Sequence, residues 1–255
     1  MWLRSAKFIL VPMVALLISY AACAEHEAAP RPLPTGPPIV VVEFRSELLW
    51  APRFLLYRDG TAIGTTARDI QAAIKTHTPL TMRHARLTDR ERDDLVRAVQ
   101  NVLRNGGTTR YRVERASDIP HYVLSADAPG TIEVSGRIEG LRGWLNRRAL
   151  PPSVRALFGT ALGTAWGHQP WPVAQLAVRL KPWTARKPAQ ECSTGRTFPF
   201  ITKSGQALVI GMDAAESDLF RWFGRCTYVG VAGGQWEYSG YEPIVPGWSP
   251  FSQRN

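Results

Sequence analysis

The sequence predicts an α+β fold, mostly antiparallel sheet with two to three packed helices, behind an N-terminal signal and a Pro-rich tether. Three observations carry this reading. β-Branched and apolar runs come in close pairs joined by turn residues, at Asp59-Gly60, Asp127–Gly130 and Gly233-Gly234, which is how antiparallel neighbours are linked. Helical spacing of apolar residues appears in separate stretches that carry capping residues. The resulting order is three strands, a helix, two strands and a helix, then two strands, a helix and two strands, with no repeat of fixed period.

The chain opens with Arg4 and Lys7, then an apolar run from Phe8 to Tyr20 ending in small residues. That is the layout of a secretory signal over residues 1–24. The run is shorter than the about 20 apolar residues of a membrane span, and Pro12 interrupts it. Two cleavages compete. Ala22-Cys23-Ala24 offers small residues to signal peptidase and would leave Glu25 first, whereas Tyr20-Ala21-Ala22-Cys23 looks like a lipobox and would make Cys23 a lipidated first residue. Residues 25–38 hold five prolines and almost no large apolar side chain, so they are expected to run extended as a tether.

The folded part is expected as an α+β domain over 39–170 and a smaller C-terminal α+β part over 171–255. Ile39–Arg45 and Arg53–Tyr57 read as strands, the second turning at Asp59-Gly60 into Thr61–Ile63. Thr88 with Glu91 forms a capping box, in which each side chain satisfies the other residue's orphan backbone donor. Leu95, Val99, Val102 and Leu103 follow at helical spacing, and Asn105-Gly106-Gly107 supplies a left-handed stop. His121–Ala126 and Thr131–Ile138 read as a hairpin. A second helix opens at Pro151-Pro152 and carries Val154, Leu157, Phe158, Ala161, Leu162, Ala165 and Trp166 on one stripe. Gly159 and Gly163, four apart on it, suggest close backbone packing against a sheet. Val173–Leu180 and Ala207–Ile210 read as strands around an irregular loop through Pro182, Pro188 and Pro199. Asp213 with Glu216 resembles a cap for a short helix carrying Leu219, Phe220 and Phe223, and Cys226–Val231 with Gln235–Tyr241 reads as a last hairpin.

Once Cys23 is removed or acylated, Cys192 and Cys226 remain as one pair, which in an oxidising compartment is expected to form a disulfide. Closing the 33 residues between them would stabilise the C-terminal region by about 3 kcal/mol. The full chain carries +10, and loss of Arg4 and Lys7 with the signal leaves +8. Such a chain is drawn to anionic wall polymers or lipid headgroups by an attraction that salt weakens. Its arginines are scattered: only Arg147-Arg148 and Arg186-Lys187 are adjacent, and no nucleic-acid motif accompanies them.

Sequence-local active sites are missing. The five histidines stand apart, no cysteine pair has metal spacing, and neither a nucleophile elbow, a Walker loop nor a dinucleotide fingerprint occurs. No metal or cofactor is therefore expected. Two weaker constellations could support hydrolysis: Glu133 and Glu139 at positions of the same parity near the Asp127 turn, or His121 close to Asp118. The aromatics are more unusual. Trp144, Trp166, Trp171, Trp183, Trp222, Trp236 and Trp248 crowd the second half with Tyr238 and Tyr241. Flat rings with a polar handle suit partner binding as well as cores, and Trp171, Trp183, Trp236, Tyr238 and Tyr241 are the candidate binding residues.

Several segments, in order, resemble a family of secreted proteins and lipoproteins from high-GC, actinobacterial-type bacteria. They are the run from Pro52 to Thr61 (PRFLLYRDGT), Ala85-Arg86-Leu87-Thr88 opening a helix, the Leu176-Ala177-Val178 strand, Gly211-Met212-Asp213-Ala214-Ala215, Trp236, and the run from Tyr241 to Pro246 (YEPIVP). The resemblance spans nearly the whole mature chain. It implies export and a shared fold, and carries no assigned activity. The expected function is thus an exported envelope or secreted binding protein, its partner an anionic polymer, lipid headgroups or another envelope protein. The alternative is a hydrolase of envelope polymer or glycan.

Overall fold

The computed structural model describes residues 34, 36–46, 49–76, 78–116, 119–164, 170–182, 191–192, 200–204, 207–213, 228–231 and 234–248. Among them the chain is α+β, with two mostly antiparallel sheets and four α-helices. The first sheet is built from β1 (Val40–Arg45), β2 (Trp50–Leu56), β3 (Thr61–Gly64), β4 (Met82–Arg86), β5 (Gly107–Arg112), β6 (His121–Ala126), β7 (Gly130–Ser135) and β8 (Pro170–Trp171). Its order is β5-β7-β6-β1-β2-β3-β4-β8. The helices are α1 (Ala67–Thr76), α2 (Asp89–Leu103), α3 (Gly140–Asn146) and α4 (Pro152–Leu162), with a 3-10 turn at Arg147–Ala149 between the last two.

Hairpin chemistry sets the local order. Asp59 accepts from the Thr61 backbone N–H at 2.9 Å and Gly60 takes a φ of +84°, so β2 folds back on β3. Burial raises the Asp59 carboxyl, but the bonds from Thr61 and the Arg86 guanidinium outweigh it and hold the group below its ordinary value. β1 lies between β2 and β6, pairing Val40 with both Leu56 and Ala126. β1 and β2 are buried almost throughout, as strands covered on both faces are. β7 alternates buried and half-buried residues, as a strand covered on one face does. The capping box of Thr88 and Glu91 is formed. α2 carries the chain from β4 to the opposite edge of the sheet, where β5 joins β7 in parallel.

The helices α2 and α4 pack on each other and reach β7 and β2. Leu95, Val99 and Leu103 from one, and Val154, Leu157, Phe158 and Ala161 from the other, are core residues. α1 is held by its own cap, Thr66 Oγ1 accepting from the Asp69 N–H at 3.0 Å, and by Arg83 Nε donating to Asp69 at 2.9 Å.

The second sheet comprises β9 (Gln175–Pro182), β10 (Glu191–Cys192), β11 (Phe200–Ser204), β12 (Ala207–Asp213), β13 (Tyr228–Val231) and β14 (Gly234–Ile244), in the order β10-β13-β14-β9-β12-β11. It meets the first sheet around β2. Leu49 bridges to Tyr241, Arg179 lies 4.0 Å over the Trp50 ring, and Leu176, Tyr241, Val245 and Trp248 join the main core. Tyr57 Oη donates to the Pro246 carbonyl at 2.6 Å and Tyr241 Oη to that of Thr78 at 2.9 Å. Burial, aided by the Asp59 charge, pushes the Tyr57 phenol far above its ordinary value, so it remains a donor.

Several expectations need correction. The strand expected to run to Ile138 stops at Ser135, because Gly136 turns with a φ of +122°. Gly159 does not mark close packing: a Cβ there would meet nothing within 4 Å, and the stripe of α4 makes its contact without it. The region read as irregular contains β11, which pairs with β12 from Phe200↔Gly211 to Ser204↔Ala207. Asp213 closes β12 opposite Gln175, and the helix expected after it lies outside the described residues. So do Ala165, Trp166, Cys23 and Cys226, and with them the lipidation and the Cys192–Cys226 bridge; Cys192 is seen only as backbone of β10, opposite Val229.

Candidate functional site

Of the five aromatic candidates, Trp171 and Tyr241 are buried. Trp171 is 8% exposed and packs edge-on against His84, with ring centroids 5.8 Å apart. Tyr241 is 5% exposed, its hydroxyl tied to Thr78. Both are packing residues. Trp236 is half-buried on β14 opposite Pro182, Tyr238 lies opposite Leu180, and Trp183 is outside the described residues.

The carboxylates are engaged in ion pairs with different partners. Glu133 accepts from Arg110 Nε at 2.7 Å, across the parallel β5–β7 pair. Glu139 faces inward, where Arg53 Nε donates to its two oxygens at 2.9 and 3.0 Å and Tyr122 Oη donates at 3.1 Å. Burial, helped by the Glu139 charge, holds the Tyr122 phenol well above its ordinary value. His121 Nδ1 is 2.9 Å from Ser135 Oγ, while Asp118 is outside the described residues. Among the described residues no three His, Cys, Asp or Glu side chains gather as a metal would require.

The segment after β7 forms a different kind of surface. Ile138 is fully buried, and Glu139 is fastened to Arg53. From this anchor Gly140, with a φ of +70°, starts α3. Gly143 is the buried residue of that helix, and a Cβ on it would lie 2.4 Å from the Ile138 carbonyl carbon. The helix therefore sits with its smallest residue against the protein, at a distance that only glycine permits. Asn146 Nδ2 donates to the Arg137 carbonyl at 2.9 Å, and buried Leu150 fixes the exit.

Because Gly143 takes the inner side, the large apolar residues take the outer one. Leu141, Trp144 and Leu145 are 84%, 48% and 53% exposed, at the spacing of three and four from Leu141 that places them on a single helix face. A surface helix ordinarily turns such a stripe to the core. Here the polarity is inverted. Five arginines and one acid lie between residues 137 and 155, and the acid is Glu139. Arg137, Arg142, Arg148 and Arg155 are exposed and Arg147 half-exposed, none ion-paired with a described residue. The Arg148 guanidinium lies 3.9 Å over the Trp144 ring, a cation–π contact that keeps charge beside the exposed indole.

Among the described tryptophans Trp144 is the exposed one, and the sequence reading did not single it out as a binding residue. Its signal was the triplet Leu141, Trp144 and Leu145 between arginines, on a segment too short and too glycine-rich to read as a helix. Compared with family models, with curated proteins and with solved structures, the chain has no match.

Proposed function

We propose that this is an exported envelope protein that works by binding rather than by catalysis, and that the outer face of α3 is its binding surface. The observation that carries the reading is the inverted helix: three large apolar side chains held outward among arginines that pair with no described acid. Exposing them leaves the apolar surface in water unless something covers it. The signal-like N-terminus and the resemblance to secreted proteins and lipoproteins support export. The hydrolase reading gains no such support, since Glu139 and Glu133 are each engaged by an arginine.

The test has two parts. The intact, non-reduced mass of protein recovered from membrane and soluble envelope fractions distinguishes a start at Cys23 with a diacylglycerol adduct from a start at Glu25. It also reports a Cys192–Cys226 bridge as the loss of a pair of hydrogens. Binding to isolated envelope fragments is then compared with that of the Leu141→Ser/Trp144→Ser/Leu145→Ser variant. The wild type is expected to bind in a salt-sensitive manner and the variant to lose most of that binding. Equal binding by the two would remove α3 from the function, and recovery from the cytoplasmic fraction alone would remove export.

A further inference from the structure

We infer that the α3 face docks on the interfacial region of an anionic lipid bilayer; this rests on the reading of α3 as the binding surface and names what it binds. Two properties occur together there, and a partner must satisfy both. The arginines Arg137, Arg142, Arg147, Arg148 and Arg155 call for negative charge. Leu141, Trp144 and Leu145 call for an apolar phase, and Arg148, 3.9 Å over the Trp144 ring, puts charge directly beside it. A polyanionic polymer supplies only the first. A protein groove would supply both, but a stable protein interface buries about 800 Å² on each partner, more than three side chains on a seven-residue helix present. A bilayer interface supplies phosphates above acyl chains, and it accepts a small insertion because each buried group adds its own contribution.

The local geometry suits that environment. α3 is about 10 Å long at 1.5 Å per residue, so it lies in the interface plane, and among the described residues no helix is long and apolar enough to cross a membrane. Trp144 is the residue type that settles at headgroup level, and Arg148 stacked on it at 3.9 Å would stay with the phosphates as the ring enters. Glu139 on Arg53, and Gly143 against Ile138, hold the helix in place before any contact. Little ordering is therefore needed on docking. A patch of this size gives weak, reversible attachment alone and firm attachment when joined to a second anchor.

The experiment is co-flotation of the mature protein with vesicles of equal parts phosphatidylglycerol and phosphatidylcholine, or of phosphatidylcholine alone, at low and high salt. The variants are Leu141→Ser/Trp144→Ser/Leu145→Ser and Arg142→Gln/Arg148→Gln, with unchanged unfolding midpoints verifying the fold. All forms share one N-terminus, so an acyl chain would contribute equally to each. The anionic vesicles are expected to carry the wild type. The apolar variant should lower partitioning about tenfold or more, and each arginine removed about fivefold, the second effect shrinking in high salt. Vesicle binding unchanged by the apolar variant, or equal on neutral vesicles, overturns the inference. Inorganic polyphosphate is the comparison probe: binding to it that the apolar variant retains, without vesicle binding, would assign the arginines to a polyanion. Loss of envelope-fragment binding in the apolar variant, again without vesicle binding, would overturn the bilayer and leave α3 the binding surface for a protein.

Discussion

Arg53 is 3% exposed on a central strand, and its guanidinium reaches four oxygens on three residues far apart in the chain: both Glu139 oxygens, the Thr65 carbonyl and the Leu162 carbonyl at 3.3 Å. A cation removed from water is tolerated only when its donors are met by charge and by carbonyls. Arg53→Met should therefore cost about 3 kcal/mol, because it leaves the largely enclosed Glu139 carboxylate without its cation. Arg53→Met/Glu139→Leu should recover part of that loss, the remainder reflecting the Tyr122 hydroxyl left without its acceptor at about 1 kcal/mol. Urea unfolding of the three forms measures both numbers; a double variant weaker than the single would exclude this account. Asp69 gives the pH-dependent counterpart. Burial raises its carboxyl, but bonds from Arg83 and Thr66 prevail and hold it below its ordinary value. Its contribution is present above the unfolded value of about 4 and is lost as pH falls through the lower folded value. Asp69→Asn should then cost about 1 kcal/mol at neutral pH, with the difference from wild type shrinking at a pH below about 4. Urea unfolding at both pH values checks the sign.

At the scale of the element, legibility followed the density of local signals. α2 was readable because Thr88, Glu91, four apolar residues at helical spacing and a glycine stop all point one way. The β2–β3 and β6–β7 hairpins were readable from their turn residues, and their strand registers agree with those turns. α1 was missed although Thr66 and Asp69 form the same kind of start, because only Ile70 and Ala73 are buried after it and the stripe is faint. β5 was missed because an exposed edge strand of Thr and Arg carries no apolar alternation; its charge serves instead to discourage pairing with another sheet. α3 was missed for a different reason. Two glycines in seven residues argue against a helix, and the requirement that Gly143 satisfies lies at the Ile138 backbone, visible only once the segment is folded. Composition likewise cannot tell a ring that packs, such as Trp171, from one that faces out, such as Trp144.

At the scale of the whole molecule, Gly247, just past β14, packs against the Gly36–Pro37 segment that leads into β1. It has a φ of +62°, and a Cβ on it would lie 2.1 Å from the Gly36 carbonyl oxygen. Gly247→Ala should cost about 2 kcal/mol from the left-handed backbone and the displaced Gly36–Pro37 segment. Thermal unfolding together with limited proteolysis near residues 36–38 reads the result, and an unchanged midpoint would mean the segment yields freely. The position of β1 has a consequence for how the chain acquires its shape. β1 is the first strand among the described residues, yet one of its two neighbours is β6, residues 121–126. A chain delivered from its N-terminus, by a ribosome or through a translocation channel, has β2 and β3 at hand early and β6 much later. Until then the apolar run of Val40, Val41, Val42 and Phe44 presents an unfilled edge. That edge of β1 cannot be filled progressively; it must wait for residue 126, and in that interval the molecule depends on whatever keeps open strand edges apart.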